Sequence, residues 1–103
     1  MIGYGKTAML KISLVENRTC CLLVLEGKLI APWTVELRAA CEKARADLRN
    51  RELVVDLKHI TAISQEGENV LCDLMSQQVK FRGRGVFTKQ VLRQVAHRAR
   101  KKL

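Results

Sequence analysis

The chain has 103 residues and a formal net charge of +9, and 48% of its residues are hydrophobic. This length and composition suit one folded domain with its own core and argue against global disorder. The longest apolar run, Cys20 to Leu25, is far shorter than the ~18 residues of a membrane-spanning helix, and the N-terminus lacks the apolar segment of a secretory signal. We therefore expect a single cytoplasmic domain over residues 1–103, without a membrane span.

Basic side chains are concentrated in the last quarter of the chain. Residues 1–79 carry ten basic and ten acidic side chains, whereas residues 80–103 carry nine basic side chains and no acidic one. Three interpretations stay open: a solvated helix face, a docking surface for an acidic protein partner, or a nucleic-acid contact. No helix-turn-helix, zinc finger or aromatic-studded strand accompanies this charge. The candidate nucleic-acid contacts are Lys80, Arg82, Arg84, Lys89, Arg93, Arg98 and Arg100.

The first half of the chain predicts a hairpin and a helix. Residues 1–7 contain two glycines and predict an irregular lead-in. Met9–Val15 alternates loosely and predicts a first strand, and Thr19–Leu25 is apolar throughout, which is typical of a strand buried on both faces. Pro32 suits the first turn of the following helix. The apolar stripe of that helix consists of Trp33, Leu37, Ala40, Cys41, Ala44 and Leu48.

The centre of the chain predicts a strand, a polar turn and a second helix. Leu53–Leu57 is an apolar run that Asp56 interrupts, so this aspartate lies at the strand end or in a paired polar position. We expect a polar turn over His59–Glu66 and then a helix from Glu66 or Gly67 to about Val79. Its inward side chains are Val70, Leu71, Leu74 and Met75. A strand that ends at a helix start is a usual place for a binding surface in open α/β sheets.

The last part of the chain predicts a short strand and a basic helix. Phe81–Gly85 suggests a glycine-broken basic loop, and Val86–Phe87 a short fourth strand. Thr88 is the expected cap of a final helix at about 88–103, with an apolar face formed by Val91, Leu92, Val95, Ala96 and Ala99. The predicted order is β-β-α-β-α-β-α. It indicates an α/β (α+β) fold in which helices pack on a mixed sheet of about four strands.

This order and two segments resemble the STAS domain family, which includes bacterial anti-sigma-factor antagonists and the C-terminal domains of sulfate transporters. The segments are E-G-K-L at Glu26–Leu29 and V-V-D-L-K-H-I-T-A-I-S-Q-E-G at Val54–Gly67, and the resemblance covers roughly Lys11 to Ala96. Members of the family carry Asp-Ser-Ser-Gly or Asp-Ser-Thr-Gly at this helix start. The resemblance implies a STAS-like fold and docking to a protein partner, such as an anti-sigma factor or a kinase-like regulator.

The chain departs from the family at the position that the family uses as a switch. With Gly67 on the motif glycine, Ser64, Gln65 and Glu66 occupy the other three positions, so Glu66 replaces the hydroxyl that a partner kinase phosphorylates in the family. A carboxylate carries one negative charge against about 1.5–2 for a phosphoryl group. A locked switch, a lost switch and a plain helix-start acid stay open for Glu66. Ser64 has the remaining hydroxyl, which we expect to be an N-cap first and a phosphorylation site second.

The resemblance places the expected partner-binding surface on the strand–helix connection. Its residues are His59, Thr61, Ser64, Gln65, Glu66, Gly67, Glu68 and Asn69. The family's last strand and helix have no counterpart in the chain, which predicts an exposed sheet edge and makes a homodimer a further expectation. Two alternative functions remain: a nucleic-acid-associated protein that uses the basic C-terminal segment, or a structural subunit of a larger assembly.

Residues for catalysis do not form a recognisable pattern in this sequence. Neither the two histidines nor the acidic residues show the spacing of a nucleophilic pair or of a metal site, so we expect no enzyme, no cofactor and no metal. The cysteines lack C-x-x-C spacing, and we expect free thiols in a reducing compartment, with a disulfide or a zinc site as the alternative. They are Cys20, Cys21, Cys41 and Cys72.

Overall fold

Five strands and three helices form the part of the chain that the structure, a computed structural model, describes: residues 2–4, 10–83 and 85–102. The strands are β1 (Ile2–Tyr4), β2 (Leu10–Glu16), β3 (Cys20–Leu29), β4 (Glu52–Ile63) and β5 (Lys80–Arg82). The helices are α1 (Thr34–Arg45), α2 (Gln65–Ser76) and α3 (Val86–Lys102). The mixed-sheet class and the predicted order of elements are confirmed, and one short strand precedes them.

The strands lie in the order β1-β2-β3-β4-β5 in a single sheet. β1, β2 and β3 are antiparallel neighbours, whereas β4 runs parallel to β3 and β5 runs parallel to β4. The predicted lead-in is wrong at Ile2–Tyr4, because these residues pair with β2 from Leu14 to Ile12. The edge of β2 presents backbone N–H and C=O groups that such a segment can satisfy. Both outer strands, β1 and β5, are three residues long, and self-association through an edge stays a prediction.

The predicted hairpin is formed by β2 and β3. Asn17 closes its turn, where the side-chain oxygen accepts the backbone N–H groups of Thr19 at 2.9 Å and Cys20 at 2.8 Å. β3 continues to Leu29, beyond the predicted Leu25, and it is not buried on both faces as expected. Its inner face carries Cys21, Leu23, Leu25 and Leu29, and the side chains of the other face are half-buried, except for exposed Lys28. All three helices contribute side chains to the same hydrophobic core as this face.

The apolar stripe predicted for α1 is confirmed. Leu37, Ala40, Cys41 and Ala44 are buried, and Trp33 and Leu48 are half-buried against the same core. The helix is shorter than predicted at both ends, because it begins at Thr34 and ends at Arg45. Pro32 therefore lies in the preceding turn, and the positive φ angles of Arg49 and Asn50 belong to the turn that leads into β4. Burial raises the pKa of the Cys41 thiol to about 12, so the thiol is neutral at physiological pH.

The fourth predicted strand is displaced along the chain. β5 consists of Lys80–Arg82 and pairs with Val54–Asp56 of β4, whereas Val86 and Phe87 belong to the first turn of α3. α3 thus begins before the predicted position, and Thr88 is a buried residue within it instead of its cap. Buried Val79 and half-buried Phe81 alternate with exposed Lys80 and Arg82, a strand pattern that the basic residues concealed.

The interior of the protein is a single cluster of hydrophobic side chains between the sheet and the helices. α2 contributes Val70, Leu71, Cys72 and Leu74, and α3 contributes Val91, Val95 and Ala99, so the predicted inward faces of both helices are confirmed. Met75, Leu92 and Ala96 are half-buried at the margin of these faces. α2 ends at Ser76, before the predicted Val79. Within the described ranges, no helix has both the length and the hydropathy that crossing a bilayer requires.

Candidate functional site at the junction of β4 and α2

β4 is much longer than predicted, and this changes the shape of the expected site. It runs for 12 residues, from Glu52 to Ile63, and pairs with β3 as far as the partners Leu29 and Ile63. The prediction of a polar turn over His59–Glu66 is therefore wrong for its first half, because His59–Ile63 continues the strand. Ser64 alone separates the strand from α2. The backbone N–H and C=O groups of this polar stretch form hydrogen bonds with β3. The side chains of the stretch give no sign of this pairing.

Two irregularities in the pairing with β3 explain the polar residues within β4. The register slips between Val24 and Glu26 and again between Gly27 and Lys28, so that β4 carries an extra residue at each point. Buried Asp56 accepts the backbone N–H of Lys58 at 2.9 Å at the first slip. It thus lies in a paired polar position, one of the two expected alternatives.

At the second slip, the hydroxyl of Thr61 donates to the carbonyl oxygen of Gly27 at 3.1 Å. Thr61 was expected to bind a partner, and although its side chain is exposed, this hydrogen bond gives it a structural role in holding β4 to β3.

Ser64 connects the sheet to α2 through three hydrogen bonds. Its backbone N–H donates to the carbonyl oxygen of Leu29 at 3.1 Å, its hydroxyl oxygen accepts the N–H of Gly67 at 3.2 Å, and its carbonyl accepts the N–H of Glu68 at 2.9 Å. The backbone of Ser64 is extended, as an N-cap requires. Ser64 is therefore the N-cap of α2, as predicted. Phosphorylation of its hydroxyl stays a prediction.

Gly67 allows the first turn of α2 to pack directly on the ends of β3 and β4. It is buried, and a Cβ at this position would overlap the carbonyl oxygen of Leu29 and approach Cγ2 of Ile63 to 2.9 Å. Real Cβ atoms do not come that close to another carbon atom. Gly67 was expected to contact a partner, but it is buried. Its role is to allow close contact between the start of α2 and the sheet.

The exposed part of the junction is an array of polar side chains at the start of α2. Gln65 and Asn69 are one helical turn apart and are joined by a hydrogen bond of 3.3 Å. Glu66 is exposed, and Glu68 is half-buried. His59 is exposed on β4, four residues before the strand ends at Ile63. In the part of the chain that the structure describes, the Glu66 carboxylate has no ion-pair partner.

Arg98 of α3 belongs to this array although the sequence placed it in the candidate nucleic-acid set. Its guanidinium donates to the side-chain oxygen of Asn69 at 2.8 Å and lies 3.7 Å from a carboxylate oxygen of Glu68. No local sequence signal identifies Arg98 as a site residue, because α3 approaches α2 only in the folded chain. We call the set Gln65, Glu66, Glu68, Asn69 and Arg98 the junction surface.

The remaining basic residues of the candidate nucleic-acid set do not share the environment of Arg98. Lys80, Arg82, Lys89, Arg93 and Arg100 are exposed, and Arg84 lies outside the described residues. Lys80, Lys89, Arg93 and Arg100 line a groove that the junction surface does not reach. Nucleic-acid binding by this set stays a prediction.

Ligand sets for metals are not apparent in the described part of the chain. No three His, Cys, Asp or Glu side chains among the described residues lie close enough together to hold a metal ion. His59 is on β4 and His97 is on α3, so the two histidines belong to different elements. Cys21, Cys41 and Cys72 are buried in the core and Cys20 is half-buried.

Replacing the N-cap of α2 should weaken the fold measurably. We expect Ser64→Ala to lower the free energy of unfolding by about 0.5–2 kcal/mol, because the N–H of Gly67 loses its acceptor at the helix start. Ser76→Ala is the matched control, since Ser76 is an exposed serine at the other end of α2. Urea unfolding followed by circular dichroism measures both. Equal stabilities of the two variants would contradict the capping role.

Comparison with solved structures supports the fold of the chain. A crystal structure of an uncharacterised protein of the DUF3478 family from Shewanella loihica PV-4, described as having a SpoIIAA-like fold, matches 86% of this chain and 79% of its own chain with a TM-score of 0.57 and 14% sequence identity. At this identity the likeness shows the fold alone. The chain thus has a SpoIIAA-like fold, which is the STAS-like fold. No family model matches the sequence. Among curated proteins, no match was found either.

Proposed function

We propose that this chain is a protein-docking module that acts in the manner of an anti-sigma-factor antagonist, through the junction surface and without catalysis. The observation that carries the proposal is the arrangement at the start of α2, where Gln65, Glu66 and Asn69 are exposed on a helix end whose backbone is fixed to the sheet. The SpoIIAA-like fold supports it, and so does the resemblance of Ser64–Gly67 to the segment that the STAS family uses for docking.

A rigid surface favours docking because binding then orders few groups. Ser64 and Gly67 hold the helix start against Leu29, and Arg98 of α3 binds the side chains of Asn69 and Glu68. A partner that binds this surface pays little conformational entropy for ordering it. The surface carries both signs of charge, so a partner with complementary charges gains specificity more than affinity.

Glu66 gives the junction surface a permanent negative charge at the position of the family's switch. The N-terminus of a helix stabilises such a charge by about 0.3–1 kcal/mol. A carboxylate cannot be removed by a phosphatase, so we propose that docking at this surface is not regulated by phosphorylation at the usual position. A partner would recognise the charge with a basic side chain or with donor groups of its backbone.

Reversing this charge should disrupt docking. We expect Glu66→Arg to reduce retention of the bound partner by about tenfold or more, because a central charge reversal places like charges in contact. The measurement is affinity capture from the cells that produce the chain, with the partner identified from the wild type and then quantified for each variant. Binding of the identified partner is finally measured with purified components.

Glu36→Arg is the matched control for this experiment. Glu36 is an exposed acid in the first turn of α1, as Glu66 is in the first turn of α2, so both substitutions have the same effect on net charge and a similar effect on the helix dipole. We expect the Glu36 variant to retain the partner. Loss of the partner from both variants, or from neither, would argue against docking at the junction surface.

A further inference from the structure

A groove of about 1230 Å³ lies between α3, the end of α2 and the start of β4. We call it the basic groove. Glu52 and Leu53, the first residues of β4, and Met75 and Ser76, the last of α2, contribute to its walls. The junction surface is formed by the opposite end of α2 and by Arg98 of α3. The two surfaces are therefore separate, and α3 borders both of them.

The floor of the basic groove is apolar. Six hydrophobic side chains in the described residues are half-buried against the core, and four of them line this groove. They are Leu48, Met75, Phe81 and Leu92. Side chains from four different segments thus leave part of their apolar surface uncovered at one place. Such clustering is typical of a binding groove rather than of scattered surface residues.

The rim of the basic groove carries unpaired positive charge. Lys80, Lys89, Arg93 and Arg100 are exposed, and among residues 10–83 and 85–100 no carboxylate forms an ion pair with any of them. Among the described residues of the lining, Glu52 is the single acidic one. Two further cations line the groove and have partners: Arg51 lies 3.4 Å from Glu16, and Arg45 donates to the side-chain oxygen of Gln77.

Two of these cations, Lys89 and Arg93, repel each other on the surface of α3. Lys89 and Arg93 are four residues apart and lie next to each other on the helix surface, where like charges repel. An anionic occupant of the groove would remove this repulsion. The charge therefore selects an acidic partner, and the floor selects one that also has apolar side chains.

We propose that the basic groove binds a short acidic amphipathic helix of a partner protein. Apolar side chains at helical spacing would occupy the floor, and carboxylates on either side of them would meet the four cations of the rim. The stretch of α3 from Lys89 to Arg100 spans about 17 Å, which corresponds to a helix of about 12 residues in the partner. This inference goes beyond docking at the junction surface and does not depend on it.

A helix fits these features better than a nucleic acid does. Single-stranded nucleic acid needs aromatic side chains on which successive bases stack, and Phe81 is the one aromatic residue among the groove's described lining. The aliphatic residues Leu48, Met75 and Leu92 offer no stacking surface for bases, but they suit leucine or phenylalanine side chains of a peptide.

Display selection with random peptides of about 12 residues tests the proposal on the full chain. The counter-selection uses the double variant Lys89→Glu with Arg93→Glu. We expect the enriched peptides to combine several acidic residues with apolar residues at positions i, i+3 or i+4, and i+7. Fluorescence anisotropy of an enriched peptide should give a Kd at least about tenfold weaker for the double variant than for the wild type.

The double variant Lys28→Glu with Lys58→Glu is the matched control. Both lysines are exposed and lie outside the groove, and the change in net charge is the same. We expect its Kd to stay within about threefold of the wild-type value. A photoreactive leucine at an apolar position of the peptide should form cross-links with Met75, Phe81 or Leu92, a measurement that needs no variant.

Three results would overturn the proposal. The first is enrichment of peptides without acidic residues or without the helical apolar spacing. The second is binding outside the groove, which would be seen as equal loss of binding in both double variants or as cross-links at the start of α2. The third is displacement of the peptide by a single-stranded DNA oligonucleotide at a lower concentration than that of the unlabelled peptide, which would make the groove a nucleic-acid site.

Discussion

Gly67→Ala should lower the free energy of unfolding by about 1–3 kcal/mol, although alanine is a better helix former than glycine by about 1 kcal/mol. The added methyl group would overlap the carbonyl oxygen of Leu29 and crowd the side chain of Ile63. The carbonyl cannot move freely, because it accepts the backbone N–H of Ser64 at 3.1 Å. The start of α2 must therefore move away from the sheet, and the bond between Ser64 and Leu29 is expected to lengthen or break.

The sign of this effect separates close packing from helix propensity. Gln65→Ala is the matched control, because Gln65 is exposed in the same helical turn and we expect its replacement to change stability by less than about 0.5 kcal/mol. Urea unfolding of both variants gives the two free energies of unfolding. The dependence of the free energy on urea concentration should have the same slope for both variants. A Gly67→Ala variant as stable as the wild type would show that α2 is not seated on the sheet in this way.

Leu37→Ala should lower the free energy of unfolding by about 2–5 kcal/mol, more than Gly67→Ala or Ser64→Ala. Leu37 is completely buried on the inward face of α1 and belongs to the hydrophobic core that the sheet and the helices share. Truncation removes its favourable transfer from water and leaves a cavity in a close-packed interior. A domain of this size has a net stability of only about 5–15 kcal/mol, so the variant would retain little of it.

Val35→Ala is the control within the same helix. Val35 is 66% exposed, so its truncation removes few packing contacts, and alanine is the better helix former. We expect a change of less than about 0.5 kcal/mol in either direction. Fluorescence of Trp33, which lies next to the start of α1, can follow the unfolding of both variants. Similar losses for Leu37→Ala and Val35→Ala would contradict the orientation of α1.

The helices of this protein were determined largely by the local sequence. The inward faces of α1, α2 and α3 follow from the spacing of apolar residues, because a helix satisfies its backbone within its own segment and turns a fixed set of side chains inward. Ser64 was predictable as a cap for the same reason, since the cap bonds to an N–H only three residues away. Element order and fold class could be derived from these local patterns and the strands between them.

Strand lengths, in contrast, were decided by tertiary structure. The polar residues of His59–Ile63 indicated a turn, but β3 runs alongside them as far as Leu29 and supplies their hydrogen-bond partners. β5 likewise forms at Lys80–Arg82 because it meets β4 there, while Val86 and Phe87, which favour a strand by composition, enter α3. A strand's extent depends on a neighbour that is distant in sequence, and side-chain patterns report this neighbour only indirectly.

The junction surface and the basic groove also depend partly on local sequence and partly on tertiary structure. The segment Ser64–Gly67 could be located from the sequence because strand, cap and helix start are contiguous. Arg98 joins Glu68 and Asn69 from about thirty residues away, and the basic groove combines α3 with residues of α1, β4, α2, β5 and two of the connections between them. Net charge identified the basic segment, but only the packing of α3 on α2 decided that Arg98 pairs within the fold.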